Sequence, residues 1–135
     1  MALSADRNTP MKDGELIAVP VAATAKIYAG SLVVANATGY AAPGSTALNL
    51  TALGRAEEYK DNSAGADGAL TVLVRRGKAF KFANDGVAPV TQAAVGKTCY
   101  IVDDETVAAT DGTGTRSAAG TVIAVDSDGV WVEIG

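Results

Sequence analysis

The sequence predicts an all-β protein, a small β-barrel or β-sandwich built from short hairpins. Short apolar runs with alternating side chains recur along the chain, and turns rich in Gly, Asn and Asp separate them. Valine is frequent in these runs, whereas aromatic residues make up only 5% of the chain. This composition is typical of short strands around a thin core, and not of alternating strands and helices.

The clearest strand signal lies in residues 69–82. Its first half places three aliphatic side chains on one face of a strand, Leu70, Val72 and Val74. In its second half Phe80 and Phe82 share one face, and Gly77 between the halves supplies the positive φ that a tight turn needs. We expect the two halves to pair as a hairpin. Phe80, Phe82 and the single tryptophan, Trp131, are the expected aromatic core.

The chain before this stretch begins with residues 1–14, which lack apolar periodicity and are expected to form an extended N-terminal arm. Residues 16–21 follow as a strand, which Pro20 places at a sheet edge because proline has no N–H to donate. Residues 28–34 and 40–42 are expected to pair across a turn. Residues 52–59 are predicted to be a strand with a bulge or close backbone approach at Gly54. The alternative is a short helix, which is less favoured because Gly54 would cost it about 1 kcal/mol and no N-cap precedes it.

After the central stretch, residues 90–96 form the only predicted helix, of about one turn, with Thr91 as its N-cap and Gly96 as its stop. Residues 98–102 and 106–109 are expected to pair, as are residues 121–125 and 130–134. A chain of 135 residues has a typical single-domain size. We therefore expect one β-rich domain over residues 15–135 with one hydrophobic core, preceded by the arm over residues 1–14.

The charged and metal-binding residue types argue against several kinds of partner. The chain has 15 acidic and 11 basic residues, a net charge of −4, so the basic surface that a nucleic-acid partner requires is not expected. With no histidine and only Cys99, the usual transition-metal ligands and an internal disulfide are excluded, and Cys99 is expected to be a buried hydrophobe. No apolar run is long enough to predict a membrane span.

The motifs that could carry catalysis are incomplete. Residues 91–98 end like a phosphate-binding loop, but Thr91 stands where the first glycine belongs. The acidic residues 103–105 are expected to be a solvated hairpin tip, and residues 57 and 58 to face solvent. Serines have no histidine to activate them. The sequence therefore predicts a protein that is not an enzyme and needs no cofactor.

Several stretches resemble the head-decoration, or capsid cement, proteins of tailed bacteriophages and prophages: residues 22–33, 52–56, 61–84 and 95–104. The resemblance covers nearly the whole chain. The resemblance implies a small β-rich barrel of the β-tulip kind on the outer surface of the virion, made in the cytoplasm of the bacterial host. It also implies two partners, the major capsid protein and further copies of the chain, usually as a homotrimer. Such a protein locks neighbouring capsid subunits together against the pressure of the packaged DNA.

The N-terminal arm is the expected capsid contact, because its apolar and hydrogen-bonding side chains suit a segment that orders against a partner: Leu3, Arg7, Asn8, Pro10, Met11 and Lys12. Two other functions remain open. A receptor- or glycan-binding module would expose aromatic residues in loops, for which Tyr40 and Tyr59 are the candidates. A structural subunit of a tail tube or baseplate would have the same composition.

Overall fold

The computed structural model describes residues 1–135 and consists almost entirely of short β-strands. There are twelve strands: β1 Leu16–Pro20, β2 Lys26–Ile27, β3 Leu32–Ala35, β4 Ala41–Pro43, β5 Thr51–Ala56, β6 Lys60–Asp61, β7 Thr71–Arg75, β8 Lys78–Asn84, β9 Thr98–Ile101, β10 Thr106–Ala108, β11 Ala118–Asp126 and β12 Gly129–Ile134. The one helical segment is a 3-10 turn, Gln92–Ala94, between β8 and β9. The predicted all-β class with one short helix is confirmed.

Five strands close into a small barrel in the order β10-β8-β12-β11-β9, with β10 pairing to β9 to complete the ring. All pairs are antiparallel except β10 with β8. Side chains alternate between the inside and the outside of the barrel, so every second residue of β8 and β12 enters the core. Phe80 and Phe82 are both buried there, with 5% of each exposed, as predicted.

The remaining long strands form an antiparallel five-stranded sheet in the order β1-β7-β5-β3-β4, and β2 pairs with β6 beside it. This sheet has its own cluster of buried residues, separate from the barrel core. Strand β3 belongs to both clusters: Leu32 and Val34 pack into the barrel core, and Val33 packs into the other. The structure thus has two hydrophobic clusters joined through β3, where the sequence had indicated one.

The hairpin predicted over residues 69–82 is wrong. Its two strands exist as β7 and β8, but β7 pairs with β1 and β5, whereas β8 pairs with β12 and β10. Gly77 has the expected positive φ of 75°, yet the short turn leads from one sheet to the other. The backbone N–H of Gly77 donates to Ile134 of β12, and that of Arg76 donates to Glu15. Alternation had identified the buried residues of β7 and β8 correctly, except that Leu70 precedes β7 and is 37% exposed. It carries no information about which strand lies alongside.

The prediction that Trp131 belongs to the buried core is also wrong. In β12 the residues facing the barrel interior are Val130, Val132 and Ile134, so the period of two turns Trp131 outward, with 36% of the residue exposed. The interior of a five-stranded barrel is narrow, and Phe80 and Phe82 from the neighbouring strand already fill it at this level. The tryptophan therefore lies on the outer surface of the barrel.

The strand and the bulge predicted around Gly54 are confirmed. In the pairing of β5 with β3, Gly54 lies opposite Val33 and Ala52 lies opposite Val34, so Leu53 is the extra residue of a bulge. A Cβ atom on Gly54 would lie 2.0 Å from the carbonyl oxygen of Arg75. Only a residue without a side chain permits β5 and β7 to approach this closely.

The predicted hairpins elsewhere are confirmed: β3 pairs with β4, β9 with β10, and β11 with β12. The predicted helix is reduced to the 3-10 turn, and the side chain of Thr91 makes no capping hydrogen bond. Strand β1 lies at the edge of its sheet, as Pro20 had indicated. No helix in the structure is long and apolar enough to cross a membrane.

Candidate functional site

The N-terminal arm, residues 1–14, contains no strand or helix, and each of its residues is exposed. All six residues predicted to contact a capsid therefore lie on accessible chain: Leu3, Arg7, Asn8, Pro10, Met11 and Lys12. Leu3 is 73% exposed and Met11 is 98% exposed. The guanidinium of Arg7 donates to the hydroxyl of Thr9 at 2.9 Å, within the arm itself. The structure does not bring these six side chains together into a single patch.

The arm continues directly into β1, whose pairing is one-sided. Five residue pairs join β1 to β7, and no strand lies along the other edge of β1. The backbone N–H and C=O groups on that side point away from the sheet, and Pro20 has no N–H group there. A bend at residues 14 and 15 separates the arm from β1. The outer edge of β1 is free over Leu16–Pro20, and it ends where Val21 bridges to Ala41 of β4.

Two adjoining clefts form a second candidate surface, where the loop before β3 meets the barrel. The first cleft has a volume of about 430 Å³ and is lined by Tyr28, Ala29, Gly30, Ser31, Asp104 and Glu105. The second has a volume of about 260 Å³, and its lining includes Arg55, Phe80, Lys81 and Trp131. Gly30 lines both clefts, so they meet at this residue. We call the two clefts together the Gly30 surface.

Backbone hydrogen bonds hold both walls of the first cleft in place. On one wall, Gly30 donates to Ala56 at 2.8 Å, and Ala56 donates back to Ser31 at 3.0 Å. On the other wall, the N–H of Leu32 in β3 donates to the carbonyl of Asp104 at 2.8 Å. The cleft therefore has a fixed shape before any ligand enters it.

The polar groups of the first cleft are only partly satisfied by the protein. Ser31 is 6% exposed, and its buried Oγ has no hydrogen-bond partner. Burial, together with the neighbouring charge of Asp103, raises the pKa of the Asp104 carboxyl above its ordinary value. The Asp103 carboxylate itself accepts from the N–H of Glu105 at 2.9 Å. A buried hydroxyl without a partner and a partly desolvated carboxyl both favour binding of a hydrogen-bonding ligand.

Aromatic rings lie at both ends of the Gly30 surface. Tyr28 and Tyr59 are 57% and 48% exposed, and their ring centroids are 5.3 Å apart with the planes tilted by 35°. At the other end the indole N–H of Trp131 donates to Asp126 Oδ2 at 2.8 Å, and the Lys81 ammonium lies 5.9 Å from the centre of the indole ring. Sequence reasoning singled out Tyr59 but missed Tyr28, and it placed Trp131 in the core.

The cations of the second cleft have carboxylate partners. Lys81 forms ion pairs with Asp126 and Asp128, and the hydrogen bond that its ammonium donates to Asp128 is the main reason that the pKa of Lys81 is raised. Arg55 lies 5.1 Å from the centre of the Phe80 ring and donates to Glu57 at 2.8 Å. These pairs fix the cations over the aromatic rings.

Glu57 accepts hydrogen bonds from two arginines, Arg55 at 2.8 Å and Arg75 at 3.2 Å. The hydrogen bond from Arg55 is the largest of the effects that lower the pKa of Glu57. A carboxyl whose pKa is lower in the folded state stabilises the fold above its ordinary pKa, and this contribution is lost as the pH falls through the folded value.

Glu57→Gln should therefore lower the free energy of unfolding by about 0.5–1 kcal/mol at pH 7, because the two arginines lose their shared carboxylate. The difference between the variant and the parent should disappear in acid, below the folded pKa of Glu57, where the parent side chain is also uncharged. Urea denaturation of both proteins between pH 7 and pH 3 measures this. A difference that is independent of pH would contradict the role assigned to the charge.

The residues considered for catalysis do not come together into a reactive site. Cys99 is buried in the barrel, and burial raises the pKa of its thiol to about 11, so the reactive thiolate is scarce at neutral pH. The loop around Thr91 precedes a 3-10 turn and a strand, whereas a phosphate-binding loop opens a helix. No group of three or more His, Cys, Asp or Glu side chains is arranged to hold a metal ion.

Comparisons of this chain with protein-family models, with curated proteins and with solved structures gave no match.

Proposed function

We propose that this protein is a head-decoration protein of a tailed bacteriophage or prophage. In this proposal it is a non-enzymatic virion component that binds the outer surface of the assembled head and stabilises contacts between major capsid subunits. The sequence resemblance along nearly the whole chain suggests the role. The exposed arm that continues into an edge strand is the observation that supports it best.

The arm is suited to binding by strand addition. A partner strand laid along the free edge of β1 would pair with backbone groups that otherwise face water. Residues 1–14, fully extended, would reach about 45 Å from the domain, far enough to cross onto a neighbouring capsid subunit. The exposed Leu3 and Met11 offer apolar area to bury in such a contact, and Arg7 and Lys12 have no ion-pair partner in the chain.

Self-association into a homotrimer is part of the proposal. Small proteins with exposed strand edges commonly cover them by association, and closed cyclic symmetry is the usual form of a homo-oligomer. Sedimentation of the purified protein at micromolar concentration, and of the protein released from heads, measures this state. A protein that is monomeric in both samples would contradict the trimer and leave head binding to be judged separately.

Deletion of residues 2–13 tests the role of the arm. The melting temperature of the free protein should stay nearly unchanged, because none of the arm's hydrogen bonds reaches the strands. Binding to expanded empty heads that lack decoration protein should weaken at least about tenfold, or 1.4 kcal/mol. Co-sedimentation with the heads gives the affinity.

A second variant keeps the length of the arm and replaces residues 2–13 with Gly and Ser. It should bind as weakly as the deletion if the side chains and backbone order of the arm matter, and not merely its reach. Unchanged head binding by both variants would reject the arm and move the contact to the loop at residues 60–68. If the parent protein does not bind heads at all, the proposed function is wrong, and a tail or baseplate subunit becomes the better assignment.

A further inference from the structure

We propose that the Gly30 surface is a binding site for a neutral oligosaccharide. It consists of two clefts that meet at Gly30, with exposed aromatic rings at both ends and hydrogen-bonding groups between them. The inference goes beyond head binding and does not depend on it. Its evidence lies on the barrel and on the loop before β3, away from the N-terminal arm.

The aromatic rings suit the apolar faces of sugar rings. The C–H groups on one face of a pyranose carry slight positive charge, and they pack against the negative face of an aromatic ring. Tyr28 and Tyr59 contact each other and expose about half of their area, so their rings are presented on the surface with limited freedom. Trp131 is held from two sides, by its hydrogen bond to Asp126 and by the ammonium of Lys81.

The polar groups between the rings suit sugar hydroxyls. A sugar hydroxyl can donate to the Asp104 or Glu105 carboxylate. Ser31 lines the same cleft, and its Oγ is buried without a partner in the chain, so the side chain gains a hydrogen bond if it rotates toward a sugar hydroxyl. An apolar ligand would leave Ser31 unsatisfied and would bury the Asp104 carboxyl without a donor, which costs free energy. The arrangement of apolar platforms around a few convergent polar groups is typical of a small-molecule site.

The charge of the lining favours a neutral ligand. Asp104 and Glu105 contribute two negative charges in the first cleft, and Arg55 and Lys81 contribute two positive charges in the second. Both cations are already paired with carboxylates, so an anionic ligand would have to displace a partner. A cationic ligand would fit the first cleft alone and would meet Arg55 and Lys81 beyond Gly30.

The single tryptophan makes binding directly measurable. Trp131 is the only tryptophan in the chain and lines the second cleft, so its fluorescence reports occupancy. The probes are three neutral hexasaccharides, of maltose, cellulose and N-acetyl chitin type, each titrated to about 10 mM. At least one should change the emission saturably, with a dissociation constant of about 0.1–5 mM, as expected for a solvent-open cleft.

Two variants test the assigned contacts. Tyr28→Ala should weaken binding at least about tenfold, because the stacking platform of the first cleft is lost. Ser31→Ala should weaken binding about fivefold while leaving the melting temperature unchanged or slightly raised, since its Oγ makes no hydrogen bond within the protein. Leu48→Ala is the matched control: Leu48 is also a large exposed side chain but lines neither cleft, and this variant should bind like the parent.

Three results would overturn the proposal. One is the absence of any saturable emission change with all three hexasaccharides. Another is a response confined to a charged probe, either spermine or a hyaluronan hexasaccharide, which would assign the surface to a cationic or an anionic ligand. The third is equal affinity of Tyr28→Ala, Ser31→Ala and the parent. Because these measurements use the free protein, they are independent of the outcome of the head-binding experiment.

Discussion

Phe82→Ala should lower the free energy of unfolding by about 3–5 kcal/mol, the usual cost of truncating a fully buried aromatic side chain. Phe82 is 5% exposed and lies in β8 opposite Val130 of β12, inside the closed barrel. Neighbouring strands are hydrogen-bonded on both sides of β8, so the barrel wall has little freedom to collapse into the space left by the ring. Urea denaturation of the variant and the parent at neutral pH measures the change.

Trp131→Ala is the matched control for this prediction. Trp131 is also aromatic and lies opposite Lys81 in the same strand pair, but it is on the outer surface of the barrel. Its removal should lower the free energy of unfolding by only about 1 kcal/mol, because the contact with Lys81 and the hydrogen bond to Asp126 are lost. If the two variants were equally destabilised, or if Phe82→Ala melted within a degree or two of the parent, the inside and outside of β8 and β12 would be assigned wrongly.

The sequence was sufficient to predict most of the longer strands and the faces that they bury, but not the two-residue strands β2 and β6. Alternation identified Val72 and Val74 as buried in β7, and Phe80 and Phe82 as buried in β8. The same rule, applied to Val130 and Val132, would have turned Trp131 outward. Its size and hydrophobicity had been given more weight than its position in the pattern. In a narrow barrel the position decides, because an inward tryptophan would not fit beside the two phenylalanines.

The pairing of strands could not be predicted in the same way. Strands β7 and β8 are adjacent in the sequence and joined by a glycine turn, yet each has its longest pairing with a distant strand, β1 or β12. Five residue pairs with each distant partner outweigh what a short hairpin would provide. A period-two pattern indicates which way side chains point, but it does not indicate which strand is the neighbour. The parallel pairing of β10 with β8 therefore could not be predicted either.

The two candidate surfaces differ in how far the sequence reveals them. The arm is local, and its lack of periodicity followed by a proline-containing strand predicted both its exposure and the edge position of β1. The Gly30 surface depends on contacts between segments that are distant in sequence. The hydrogen bond from the N–H of Leu32 to the carbonyl of Asp104 joins the start of β3 to the loop between β9 and β10. The one usable sequence signal was Tyr28 two residues before Gly30, an aromatic residue close to a glycine in the loop before β3.

Gly54→Ala is the backbone change with the largest expected effect. The new Cβ would lie 2.0 Å from the carbonyl oxygen of Arg75, and the φ of +153° at this position is one that residues with side chains rarely adopt. Backbone strain of this kind costs about 1–3 kcal/mol, and the forced separation of packed atoms costs a similar amount. We therefore expect the free energy of unfolding to fall by at least about 3 kcal/mol, as measured by urea denaturation.

Gly86→Ala makes the same chemical change where it should do little. Gly86 lies in an exposed turn without a positive φ, and a Cβ there would meet no atom within 4 Å, so the change should stay within about 0.5 kcal/mol. The contrast between the two variants isolates the approach of β5 to β7, which share only two residue pairs. If Gly54→Ala were as stable as Gly86→Ala, β5 and β7 could move apart without cost. The second hydrophobic cluster would then be stable without close contact between β5 and β7.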